Sequence, residues 1–266
     1  MPRIRRSEPE ERLAETAGPE FLEALARGLR IIQTFGQDRR QLSLSDIAKL
    51  VGLPRASVRR TLHTLIHLGF AETDGRMFRL TPRVLMLAGA YLSSNPVSTL
   101  IQPALERLST DIGEACSAAV LDGDDMVMIA HASPARVLQL SGQIGMRLPA
   151  VSSSLGRILL ASFDDERLDA LLSRVRPKPL TAQTVTGKNE LRRAILRARA
   201  EGYSLVDQEV ELGFRSISVA LQRLDGKALG SLNVGAHTER GSLDTMVDRF
   251  LPKLRALAGE LRQQLI

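Results

Sequence analysis

Seven side chains in the first third of the chain have the types and spacing needed to hold a nucleic acid. Arg55, Ser57, Arg59, Arg60 and His63 crowd into one short stretch, and Arg76 and Arg79 follow on a separate one. An arginine can donate two hydrogen bonds to a guanine edge in the major groove, which suits Arg60, while Arg55, Ser57 and Arg59 suit phosphate oxygens. Arg76 and Arg79 would meet the backbone or minor groove from a returning strand.

Other groups suit other chemistries. The run Ser152-Ser153-Ser154 with Gly156 close behind reads as a helix start whose amides and hydroxyls could receive a carboxylate, or as redundant N-capping. Asp207, Glu209 and Glu211 alternate as on an extended segment, either lining a site or edging a solvated loop. His63 and His67 stand at i and i+4 without a third ligand, and His131 and His237 have no metal spacing, so no metal site is expected. Cys116 opens an apolar strand and reads as a small core residue. There is no nucleophile–base pair and no phosphate loop, so neither catalytic residues nor a cofactor are expected.

The elements that must position the arginines are legible. Ser43 and Asp46 have the spacing of a capping box, and Leu44, Ile47, Ala48 and Val51 repeat as one buried helix face. Gly52-Leu53-Pro54 turns into a second helix, in which Val58, Leu62 and Leu65 face inward and Ala56, Arg60, His63 and His67 outward at about 100° per residue. Phe70 to Leu80 folds back at Asp74-Gly75 as a hairpin. The order is that of a winged helix-turn-helix. Upstream, Leu22, Leu25, Leu29, Ile32 and Phe35 mark a helix from Glu20 to Phe35 packing behind the pair. Downstream, Thr81-Pro82 opens a linker helix to about Ser93, apolar around most of its circumference, for which burial against a second copy is the simplest remedy.

Beyond Ser93-Ser94-Asn95-Pro96 the pattern is α+β. A helix over Val97 to Ile112 precedes strands at Cys116 to Leu121 and Met126 to His131, with another strand at Val137 to Ser141. Helices follow at Ser154 to Ser162, Glu166 to Arg174 and Glu190 to Glu201. Strands at Ser216 to Gln222 and Leu229 to Ala236 precede a last helix from Ser242 to Ile266. This predicts an antiparallel sheet with flanking helices.

The 266 residues suffice for two domains, and 44% hydrophobic with 25% charged residues is ordinary globular composition. Formal charge is +6, with 15 Lys and Arg against 10 Asp and Glu in residues 1–94 and 21 against 20 afterwards, so the excess sits where phosphates would be met. Aromatic content of 3% without tryptophan argues against base-stacking platforms for single strands. One cysteine excludes an internal disulfide. A charged N-terminus, and no apolar run long enough to span a bilayer, lead to an expected cytoplasmic location without membrane contact. Residues 1–19, with eight charged side chains, read as a disordered arm, residues 20–81 as the DNA-binding domain, 82–95 as the linker and dimerisation helix, and 96–266 as the second domain.

From roughly Glu20 to Leu265 the chain resembles the IclR family of transcriptional regulators, through "SLSDIAKLVGLPRASVRRTLHTLIHLGF", "RLPAVSSSLGRILLAS" and "RARAEGYSLVDQEVELGFRSISVAL". "LARGLRIIQTFG" and "RMFRLTPRVLMLAGAYLSS" are similar to the subgroup governing protocatechuate, 4-hydroxybenzoate and β-ketoadipate catabolism. The resemblance implies a homodimer, with tetramers as dimers of dimers left open, that binds double-stranded operator DNA and senses a small carboxylate in a GAF-like C-terminal domain. The effector pocket it implies lies between the sheet and the Ser152 to Gly156 loop, lined by Val137, Leu140, Ser154, Leu155, Phe214, Ser216, Asn233 and Gly235 with Asp207 at the rim, while Ser152 and Ser153 join it through the helix start read above. Two positions depart from the family pattern: Ser216 where many relatives carry cysteine, and Val137-Leu138 where the aromatic-acid subgroup often carries basic residues. A DNA-binding protein with an enzymatic or ligand-independent C-terminal domain is the alternative.

Overall fold

The capping box expected at Ser43 is formed. Asp46 N–H donates to the Ser43 hydroxyl and Ser43 N–H to the Asp46 carboxylate, in a computed structural model that describes residues 18–36, 38–94, 96–134 and 143–265. Hydrogen bonds from Ser43 hold the Asp46 carboxyl below its usual range. The N-terminal arm and the strand expected at Val137 to Ser141 lie outside the described residues, apart from the end of the arm. The chain divides into two compact units, Met1–Tyr91 and Leu92–Ile266.

In the first unit, α1 (Glu23–Gln33) precedes β1 (Leu42–Ser43), α2 (Leu44–Val51) and α3 (Arg55–His67). Gly52 ends α2 in the left-handed conformation at φ 68°, which turns the chain into Pro54 and α3. Strands β2 (Ala71–Thr73) and β3 (Met77–Leu80) form the wing, and β1 adds a short third strand in the order β1-β3-β2. Ile31, Leu42, Ile47, Val58, Leu62 and Leu65 build the core.

The α1 stripe packs only in part as read, with Ile32 and Phe35 against the core. Ile31 is the buried residue of this helix, while Leu22, Leu25 and Leu29 are exposed. Gly28 lies close to Thr61 of α3, so the helix seats through its glycine and Ile31, and Leu25 and Leu29 turn to an open groove. Thr81 caps a 3-10 turn, Pro82–Val84, before the helix proper, α4 (Leu85–Ser94), on which Leu85 and Met86 are 71% and 66% exposed.

The second unit starts with α5 (Pro96–Ile112), β4 (Ala115–Asp122), β5 (Asp125–Ala132) and β6 (Arg147–Pro149). There follow α6 (Ser154–Leu160), α7 (Asp165–Arg174), α8 (Lys188–Glu201), β7 (Ser204–Asp207), β8 (Phe214–Gln222) and β9 (Ala228–His237). A π-helical stretch, Thr245–Phe250, then leads into α9 (Leu251–Gln264), so the final helix is regular only from Leu251 onward. The six strands are antiparallel in the order β6-β5-β4-β9-β8-β7.

Alternation gives this sheet two unlike faces. One carries Cys116, Ala118, Ile217, Val219, Leu232 and Val234 against α5 and α9. Cys116 is fully buried there, its thiol pushed up to about 12 by burial, with Glu114 adding to the effect. The other face carries His131, Ser117, Asn233, Ser218 and Ser204, paired in that sequence across five strands.

Candidate functional site

Two sites emerge, one on each unit. On α3 the inward stripe of Val58, Leu62 and Leu65 leaves Arg55, Ala56, Arg59, Arg60, His63 and His67 exposed on one contiguous arc. Ser57 does not belong to that arc. It is 7% exposed and its hydroxyl is buried, which corrects its reading as a phosphate contact: at 100° per residue it falls beside Val58, on the side facing α1.

The wing also differs in detail. Its loop runs through Asp74, Gly75 and Arg76, with Gly75 at φ 95° and the Asp74 carboxylate accepting from the Arg76 and Met77 amides. Arg76 therefore stands at the loop tip, not on the returning strand. Arg79 is on β3, where its Nε donates to Glu72 across the hairpin at 2.7 Å. That exposed pair is worth at most about 1 kcal/mol and yields readily to a phosphate.

The second site is a cavity of about 80 Å³ on the polar face of the sheet, roofed by the start of α6 and the 208–213 loop. Ser153, Ser154, Leu155, Phe214, Ser216, Asn233 and Gly235 all line it. Gly235 is required, because a Cβ there would overlap the Phe214 ring. Ser152 is buried outside the lining. Asp207 is turned to Arg215, which donates to it at 2.5 Å and to the Gly241 carbonyl, so its carboxylate is tied away from the cavity. Val137 and Leu140 lie outside the described residues.

The serine hydroxyls are committed to the protein. Ser153 Oγ accepts from the Gly156 amide, and Ser154 Oγ bonds both Ser218 Oγ and Ser216 Oγ at 2.7 Å. This chain ties the first residue of α6 to β8, so an acid at the serines would compete with structure. One turn later Arg157, buried, donates two bonds of 2.7 Å to Glu209 and a third to the Val151 carbonyl. Glu209 also accepts from the Val185 amide, and its own carbonyl accepts from Thr184. Glu209 is thus a structural counter-charge, and of the acidic set Glu211 alone reaches the cavity.

Sequence reasoning missed several lining residues: Ala115, Ser117, Met126, Met128, His131, Met146, Leu148, Val206 and Val210. Ser117 Oγ and His131 Nδ1 are 2.9 Å apart, and burial pushes the imidazole below its usual pKa. Asn233 is 8% exposed, and its Oδ1 is buried without a partner. An orphaned buried acceptor costs about 1–3 kcal/mol and is met most simply by a donor from an occupant. Among the described residues no cluster of three metal-ligating side chains occurs, and no single helix is long and apolar enough to cross a membrane.

Comparison with known proteins matches residues 24–75 to the IclR helix-turn-helix domain and residues 89–263 to the bacterial transcriptional regulator IclR C-terminal family. The Pca regulon regulatory protein of Pseudomonas putida is 44% identical, over 95% of this chain and 87% of its own length. The p-hydroxybenzoate hydroxylase transcriptional activator of Acinetobacter baylyi is 33% identical, over 91% and 92%. Among solved structures, an IclR homolog from Microbacterium hydrocarbonoxydans complexed with 4-hydroxybenzoate superposes with a TM-score of 0.76 at 26% identity, covering 91% of this chain and 99% of that one.

Proposed function

The chain belongs to the IclR family of bacterial transcriptional regulators, a family of DNA-binding regulators and not of enzymes, and from that premise we propose what it senses and how. It is a ligand-responsive regulator whose effector is a small hydroxylated aromatic acid, held in the cavity between α6 and the polar face of the sheet. The Asn233 Oδ1 carries this reading, because a carboxylate can only accept and would leave that oxygen unmet, whereas a ring hydroxyl donates to it. The relative that regulates p-hydroxybenzoate hydroxylase and the homolog that holds 4-hydroxybenzoate support the same ligand class.

Lining by Ser153, Ser154, Leu155, Phe214, Ser216, Asn233 and Gly235 would enclose the ring. Calorimetry with 4-hydroxybenzoate and benzoate tests this. The hydroxylated acid should bind more tightly to the wild type, and Asn233→Ala should abolish the preference at a cost of about 1–3 kcal/mol. Equal binding of the two acids by the wild type would refute the assignment.

Operator DNA would be met by Arg55, Arg59, Arg60 and His63 on α3, with Arg76 and Arg79 from the wing. Residues 20–81 act as the DNA-binding domain, 82–95 as the linker and 96–266 as the effector domain, working in the cytoplasm. The exposed Leu85, Met86, Leu87 and Tyr91 of α4 lie in the same unit as the leucines of α1, and Leu87 lines the same open groove as Leu25 and Leu29. An apolar surface of this extent supports a homodimer, which can pair further into a tetramer. Sedimentation of the wild type at micromolar concentration checks it: a monomer there refutes the dimer, and Leu85→Glu should dissociate it.

A further inference from the structure

An aromatic acid brings a negative charge into this cavity, and among the described lining residues His131 alone can carry a positive one. The ring is held for such a role. Gln102 of α5 accepts from the His131 amide at 3.2 Å and donates to its carbonyl at 3.0 Å, which fixes the residue at both ends of its peptide. Nδ1 is engaged by Ser117, so Nε2 is the nitrogen left for an occupant. Burial holds the imidazole below its usual pKa, which disfavours its charged form while the cavity is empty.

Among the described residues the lining supplies no other cation, and His237, edge-on to the Phe214 ring at 5.8 Å, lies outside it. On β4 the neighbour is Ser117, and Cys116 turns to the opposite face. From α5 comes Gln102, which also donates to Glu106 at 2.9 Å. From β6 and α6 come Leu148, Ser154 and Leu155, with Met146 just before β6, and the 208–213 loop adds Glu211, itself an anion. Arg157 is spent on Glu209. Ser153 and Ser154, the other groups suited to a carboxylate, are bound within the protein.

Resting on the reading of the cavity as an effector site, we propose that His131 is the counter-charge of the bound carboxylate, so that ligand binding and protonation of the imidazole are a single event. His131 and Asn233 stand on strands separated by β4, roughly 10 Å apart by strand spacing. An aromatic ring with a carboxylate at one end and a hydroxyl at the other bridges them over the small side chain of Ser117.

Calorimetry of the full-length protein with 4-hydroxybenzoate, in phosphate and in Tris at several pH values between 6 and 8.5, tests the proposal. The observed heat should differ between the two buffers in proportion to an uptake approaching one proton per site. The affinity should fall about tenfold per pH unit above the free imidazole pKa. Methyl 4-hydroxybenzoate, which is uncharged, should bind without proton uptake, and His131→Gln should bind the acid more weakly and with a flat pH profile. Tight binding of 4-hydroxybenzoate with identical heats in both buffers and no pH dependence overturns the role of His131 and leaves the effector assignment standing. No binding at any pH overturns both.

Discussion

In the N-terminal unit the polar side chains that would meet a partner stand in water: Arg55, Arg59, Arg60 and His63 are exposed on α3 and Arg76 on the wing tip. In the C-terminal unit they are inside. His131, Ser117, Asn233 and Ser218 form a row on a sheet face covered by α6 and the 208–213 loop, in which Ser117, His131 Nδ1 and Ser218 are already hydrogen-bonded. The difference follows from the partner. A duplex is larger than the domain and is read from outside by groups that lose little water until contact. A small acid must be desolvated, so its reader would be a prebuilt polar patch in an apolar surround, with Asn233 Oδ1 left unmet while the cavity is empty.

The strongest way to break this comparison is at the buried ion pair. Arg157→Ala leaves the Glu209 carboxylate uncompensated in the interior and should cost about 3–5 kcal/mol of stability in denaturant melts of the C-terminal unit. The double substitution Arg157→Met with Glu209→Leu should recover most of that loss. If the single variant is as stable as the wild type, the interior is not prebuilt. Next comes Arg60→Ala, which should weaken specific operator binding by about 1–3 kcal/mol and leave the melting curve unchanged, because an exposed reader carries no structural load. Unchanged operator affinity would remove Arg60 from the recognition arc.

Arg76→Ala should lower affinity for all DNA sequences alike and reduce the salt slope by about 1, as loss of one phosphate contact does. Glu72→Ala should shift stability by at most about 1 kcal/mol while freeing Arg79 for DNA. The smallest effect belongs to His131. Its folded pKa lies below its unfolded value, so the unfolded chain binds more protons and the empty protein should lose stability as pH falls below about 6.5. A thermal melt of His131→Gln, flat over the same range, checks the sign.

The same contrast explains what could be read from the sequence. Exposed recognition helices advertise themselves, because the capping box, the Gly52 turn and a 3.6-residue alternation of core and cation are all local. What misled was the assumption that an apolar stripe marks the packed side. Leu22, Leu25 and Leu29 face away from the core, and Ser57 faces into it. The short strands β1, β6 and β7 escaped because two to four residues carry too little periodicity to show.

In the effector unit, Ser154, Leu155, Phe214, Ser216, Asn233 and Gly235 came from family resemblance, and all line the cavity. Ser117 and His131 did not, although each is a polar residue in an apolar strand. Their partnership depends on a bulge. The β4–β5 register shifts between Ala118 and Ala119, which sets His131 opposite Ser117 where an uninterrupted hairpin would have placed Ala130. One residue of slip moves a side chain to the other face, and nothing local in the sequence announces it.

Three methionines, Met126, Met128 and Met146, wall a cavity of about 80 Å³, well below the roughly 150 Å³ of an engineered cavity that accepts benzene. The space is therefore set by unbranched side chains that change rotamer at little cost, not by the backbone beneath them. A Met→Leu or Met→Ala exchange there would alter the size of the acceptable ligand without disturbing the row proposed to read its charge and hydroxyl. On the proposed site, size and polarity of the effector would thus be set by separate residues. A lineage can move from one aromatic acid to a bulkier one by single substitutions in the wall, with operator recognition and fold left as they were.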